Sequence, residues 1–147
     1  MGALADGAIS RGGRVIGILP RFMQELEWGH KQLSELRLVE DLRVRKAMML
    51  DESHAVIALP GGTGTLDELL EALTLKRLGL YLNPIVLVNT RGFFDPLVQV
   101  LSSAVDEGFM DDRHRSMWQV VPQPDDVLSA IASAPSWHRE AQKFATR

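Results

Sequence analysis

Residues 55–68 read Ala55-Val56-Ile57-Ala58-Leu59-Pro60-Gly61-Gly62-Thr63-Gly64-Thr65-Leu66-Asp67-Glu68, an apolar run that breaks into glycines and resumes as a helix. The continuous apolar residues, β-branched among them, predict a strand over 55–59 buried on both faces of a parallel sheet, ended by Pro60. From Thr65 onward the spacing of Leu66, Leu69, Leu70, Leu73 and Leu78 predicts a helix. Gly61, Gly62 and Gly64 omit the Cβ atoms that would keep an anion off the backbone, and they permit the positive φ that a tight strand-to-helix turn needs. The first amides of a helix have no carbonyl partner within it, and its dipole presents positive charge there. The passage therefore reads as a phosphate cradle. A second reading stands beside the first: Thr65-Leu66-Asp67-Glu68 has the spacing of a capping box, in which Glu68 only reaches back to the backbone of Thr65. That reading leaves the three glycines and the proline without a reason. No Lys follows the glycines as in a P-loop, and their spacing is not that of the dinucleotide fingerprint.

Outward from this stretch, strands and helices alternate. Residues 3–11 read as a helix with Leu4, Ala8 and Ile9 on one stripe, stopped by Gly12-Gly13. Met1-Gly2 gives it no N-cap and no preceding strand, so a missing front end is expected. Strands are expected at Val15–Leu19, Leu36–Val39, Pro84–Asn89 and Trp118–Val121. Helices are expected at Met23–Trp28, residues 41–53, Asp95–Glu107 and Pro124–Ala132, with a turn at Arg91-Gly92. The tail from Pro135 to Arg147 has weak periodicity and is expected to pack loosely or fray. The alternation implies α/β architecture, a Rossmann-like doubly wound parallel sheet in a single domain. Ligands of such sheets sit beyond the carboxyl ends of the strands, where the glycine loop falls.

Composition narrows the function. With 147 residues, 46% hydrophobic and 24% charged, the chain suits one globular domain. A net charge of −3 with scattered Lys and Arg points to no nucleic-acid partner and no anionic membrane. The absence of cysteine excludes disulfides, thiolate metal sites and a cysteine nucleophile. No apolar run approaches a membrane span and no signal-peptide pattern opens the chain, so a cytoplasmic location is expected. His30, His54, His114 and His138 lack ligand spacing, so no metal is assigned.

Arg45-Lys46 followed by Pro60-Gly61-Gly62-Thr63-Gly64-Thr65-Leu66-Asp67-Glu68 resembles the RK…PGGxGTxxE signature of the Lonely Guy family of cytokinin riboside 5'-monophosphate phosphoribohydrolases. The likeness runs from Met1 to about Ala132 and includes Gly17-Ile18-Leu19-Pro20, Glu27-Trp28-Gly29-His30 and Gly92-Phe93-Phe94-Asp95-Pro96-Leu97. It implies a Rossmann-like domain over 1–134, short at its N-terminus, with a tail at 135–147. It also implies hydrolysis of the N-glycosidic bond of a nucleoside 5'-monophosphate, a cytokinin nucleotide or AMP, to free base and ribose 5-phosphate. Carried over by position, Arg45 and Glu68 are the catalytic pair and Lys46 accompanies Arg45 at the substrate. Gly62 through Thr65 hold the phosphate, within a binding stretch that takes in Gly61, Leu66, Asp67 and Glu68. Glu27 and Thr74 fall where the family places further substrate contacts. The family also implies a homodimer and no cofactor. Two departures stand out. Arg43 occupies the position of a family His, and the family begins with a strand-helix-strand unit of about 40 residues ahead of this Met-Gly.

The chemistry fits these residue types. Breaking a bond between ribose and a purine develops positive charge on the sugar and negative charge on the base, which calls for a carboxylate near one and a cation near the other. Each residue also has a plain structural reading: Arg45 and Lys46 as solvated helix charges, Glu27 as a surface residue, Thr74 as a helix hydroxyl bonding its own backbone, Met48 and Met49 as core. The competing function is a non-catalytic nucleotide binder resembling the molybdenum-cofactor carriers of the same fold. A lysine decarboxylase is disfavoured, because no Lys sits in a recognisable pyridoxal-phosphate setting.

Overall fold

The computed structural model describes residues 1–25, 30 and 32–145, and the chain divides into two compact units, Met1–Glu52 and Ser53–Arg147. Both are α/β with parallel strands, the class that the alternating sequence predicts.

In the first unit, α1 (Gly2–Ser10) leads to β1 (Ile16–Pro20), α2 (Arg21–Glu25), β2 (Glu35–Val39) and α3 (Leu42–Asp51). β1 and β2 pair in parallel from Ile16 opposite Glu35 to Pro20 opposite Val39. Asp41 caps α3: its Oδ1 accepts the N–H groups of Arg43 at 2.8 Å and Val44 at 2.9 Å. Those amide donors, Val44 first, hold the carboxyl below the usual range. α3 buries none of its residues completely, and Met49 is 37% exposed, so neither Met48 nor Met49 is core within this unit.

In the second unit, β3 (Val56–Ala58), α4 (Thr63–Arg77), β4 (Ile85–Val88), α5 (Asp95–Asp106), β5 (Gln119–Val121) and α6 (Val127–Ser133) follow in order. The sheet runs β3-β4-β5, all parallel. β4 is its apolar centre, with all four residues buried, and Val86, Val88, Val121, Val127 and Ala130 form a core against which Leu59 and Ile131 pack. The expectation that the 55–59 run is buried on both faces fails. β3 is the outer strand of this sheet and Ile57 is 48% exposed, so β4 is the strand that matches the description.

The C-terminal segment does not fray. A short 3-10 helix at Arg139–Phe144 buries Ala141, and Trp137 donates its indole N–H to the Lys76 carbonyl at 2.6 Å. Arg77 Nη2 donates to the Ala145 carbonyl at 2.7 Å, and the Arg113 guanidinium lies 3.7 Å from the centre of the Phe144 ring. Helical periodicity is weak here because three side-chain anchors, rather than one apolar stripe, hold the segment. Among the described residues, no helix is long and apolar enough to cross a membrane.

Candidate functional site

The glycine loop leaves the carboxyl end of β3 and enters α4 at Gly62, the N-cap, with φ −85° and ψ −158°. Leu66 N–H donates to the Gly62 carbonyl at 3.1 Å and closes the first turn. By helix geometry the amides of Thr63, Gly64 and Thr65 have no carbonyl to meet within the helix, and no side chain caps Gly62. Gly62, Thr63 and Gly64 are all exposed. The start of a 15-residue helix thus presents its donors and its positive dipole end to solvent at the carboxyl edge of the sheet.

Two sequence expectations are corrected here. The helix begins at Thr63, two residues before Thr65, so Thr65-Leu66-Asp67-Glu68 lies inside α4 and is not its capping box. The glycines are also not needed for positive φ, since none of Gly61, Gly62 and Gly64 has it. Space is the reason. A Cβ on Gly61 would lie 2.2 Å from Thr65 Oγ1, so the Thr65 side chain occupies that position. A Cβ on Gly62 or Gly64 would meet nothing within 4 Å, so at these two positions the missing side chain clears an approach to the backbone.

Glu68 is half-buried, four residues after Gly64 and three after Thr65, on the same helix face. Side chains lean toward the N-terminus of a helix, so Glu68 projects on the side of its own Cα that faces the exposed amides. Asp67 is exposed and Leu66 half-buried. Thr74 donates its hydroxyl to the Leu70 carbonyl at 2.8 Å, the plain helical role, and lies about 15 Å along α4 from Gly64. Arg45 and Lys46 lie on α3 of the first unit, the loop and Glu68 in the second. Arg45 Nε donates to the Ile18 carbonyl at 3.1 Å, tying α3 to β1. Glu27 lies outside the described residues.

A group that sequence reasoning missed lies at the far end of α4. Lys76 is 2% exposed, and its Nζ donates to the Asn83 carbonyl at 2.6 Å. Burial lowers its pKa to about 8. Asn83 Nδ2 in turn donates to the Ser53 carbonyl at 2.8 Å. Lys76 sits about 20 Å along the helix from Thr63, too far to serve a ligand held at the loop.

A family model described as "Possible lysine decarboxylase" matches residues 1–131. The chain is 40% identical over 134 residues to a cytokinin riboside 5'-monophosphate phosphoribohydrolase of Rhodococcoides fascians, covering 90% of this chain and 68% of that one. It is 36% identical over 138 residues to "Probable cytokinin riboside 5'-monophosphate phosphoribohydrolase LOGL2" of Oryza sativa subsp. japonica, covering 93% and 57%. It is 38% identical over 143 residues to cytokinin riboside 5'-monophosphate phosphoribohydrolase LOG3 of Arabidopsis thaliana, covering 96% and 66%. The chain therefore spans between 57% and 68% of the length of these relatives.

Proposed function

We propose, from the premise that the chain belongs to the Lonely Guy family, whose model is described as "Possible lysine decarboxylase", that it hydrolyses a nucleoside 5'-monophosphate to free base and ribose 5-phosphate. The observation that carries the reading is the pair Gly62 and Gly64. Both face open space at the start of α4, and no packing contact or backbone conformation of the fold requires glycine at either position. Gly64 stands within a helix, where glycine costs roughly 0.5–1 kcal/mol against alanine, so a demand other than stability keeps it. Close approach of a phosphate to the Thr63, Gly64 and Thr65 amides is such a demand.

The reaction adds water across the bond between the ribose C1′ and the base nitrogen. Water oxygen bonds to C1′, the C1′–N electron pair leaves with the base, and one water proton ends on the base. Glu68 stabilises the electron-poor C1′ or orients the attacking water, since the phosphate anchored on the same helix face fixes where the ribose lies. By resemblance to the family signature, Arg45, with Lys46, answers the negative charge of the departing base or of the phosphate. An arginine suits an electrostatic role better than proton donation because it stays charged. Relatives named for cytokinin riboside 5'-monophosphate support a cytokinin nucleotide as substrate, and AMP is the alternative that offers the same phosphate to the turn. Exposed apolar residues on α4 and α5, among them Leu70 and Val100, support a homodimer.

The test compares AMP with adenosine. Base release from AMP and none from adenosine is expected, because the phosphate positions the sugar; equal release from both would overturn the phosphate anchor.

A further inference from the structure

The turn after β4 is strained at Arg91. Among the described residues it is the non-glycine residue with positive φ, at φ 57° and ψ 28°. Gly92 follows at φ 72°, and Phe93 N–H donates to the Thr90 carbonyl at 3.3 Å. Two successive left-handed residues make a turn of the I′ kind, whose first central position favours Asn, Asp or Gly. Arginine is a poor choice there on conformational grounds.

The Arg91 side chain does nothing to offset that strain. Arg91 is exposed, and among the described residues its guanidinium makes no hydrogen bond, ion pair or ring contact. Other groups hold the turn: Asn89 Oδ1 accepts the Phe94 N–H at 2.7 Å, and Asn89 Nδ2 donates to Asp95 Oδ1 at 2.7 Å. The turn would therefore keep its shape with a different residue at 91.

Its position gives the side chain a use. β3 and β4 are parallel neighbours with Ala58 opposite Leu87. The glycine loop and the 89–92 turn thus leave adjacent strands, about 4.8 Å apart, at the same carboxyl edge of the sheet. Between Gly61 and Glu68 the chain carries two carboxylates and no basic residue, so the amides of α4 would receive a phosphate without a neighbouring cation from their own segment. Arginine is the residue whose planar fork meets phosphate oxygens in pairs.

We propose that Arg91 is a further substrate-binding residue, the cation that meets the phosphate of a nucleoside 5'-monophosphate held at residues 62–65. The assignment rests on reading that turn as the phosphate site. Titration calorimetry with ribose 5-phosphate, on the purified wild-type chain and on Arg91→Asn, Arg91→Lys and Gly62→Val, separates the two claims. Arg91→Asn raises the thermal midpoint by relieving the turn, yet weakens ribose 5-phosphate binding about tenfold and flattens its salt dependence, with Arg91→Lys intermediate. If Gly62→Val weakens binding and Arg91→Asn does not, the phosphate turn stands and the role of Arg91 falls. If the wild type binds no ribose 5-phosphate, both fall.

Discussion

The hydroxyl of Thr65 stands where a side chain on Gly61 would have to go: a Cβ on Gly61 would lie 2.2 Å from Thr65 Oγ1. Gly61 is therefore a packing glycine, and the exposed backbone next to it belongs to Gly62 and Gly64. The division of labour within one short loop sets which substitutions damage the fold and which damage only the site.

Gly62→Val tests access to the turn. The new side chain meets nothing within 4 Å, and the N-cap dihedrals are in the extended region open to valine. The loss of stability should stay at about 1 kcal/mol or less. The Michaelis constant for AMP is expected to rise at least tenfold while the thermal midpoint moves little. An unchanged Michaelis constant would remove the phosphate cradle from the account.

Gly64→Ala separates stability from function in the opposite sense. Gly64 is the second residue of α4 and its Cβ position is open. Alanine should stabilise the chain by roughly 0.5–1 kcal/mol, read from denaturant unfolding. It should also weaken AMP binding by placing a methyl group at the mouth of the turn. Stabilisation with full binding would show that the phosphate does not approach Gly64.

Much of this loop is legible in the sequence, because strand, proline, glycines and helix are consecutive and their signals are local. The start of α4 is misplaced by two residues, since Thr63 and Gly64 are weak helix formers that the rest of the helix carries along. Ile57 misleads because apolarity alone does not tell an outer strand from a central one. The C-terminal segment is illegible for a different reason. Its anchors pair residues far apart in the chain, as Trp137 does with Lys76, and no window of periodicity contains both.

The pH dependence of stability has an acidic component at His114. The ring is fully buried, its Nδ1 accepts the Asp111 N–H at 2.9 Å, and it lies against Phe144 and Trp137. Burial above all, with the charge of Arg77, pushes its pKa below the ordinary 6.5. The unfolded chain then takes up a proton before the folded one does, so stability falls as pH drops below 6.5 until the folded value is reached. His114→Asn, which keeps an acceptor near Nδ1, is expected to flatten the thermal midpoint between pH 6.5 and 5.5. An unaltered slope would place the titration elsewhere.

An alkaline component comes from Lys76. With a folded pKa of about 8 against 10.5 unfolded, the unfolded chain holds more protons between these values, and stability rises with pH across that window by up to about 3 kcal/mol. Lys76→Met removes the rise. Identical pH profiles for the two proteins would show that the ammonium is better solvated than its burial indicates.

The account's central claim is that Glu68 acts on a nucleotide held by the turn of its own helix. The most direct measurement incubates the purified chain and its Glu68→Ala variant with AMP and with isopentenyladenosine monophosphate, and follows free base and ribose 5-phosphate by chromatography. The account predicts equimolar base and ribose 5-phosphate from the wild type, and none from a Glu68→Ala chain that still binds AMP. Tight AMP binding by a folded wild type that releases no base would contradict it and identify the chain as a nucleotide binder.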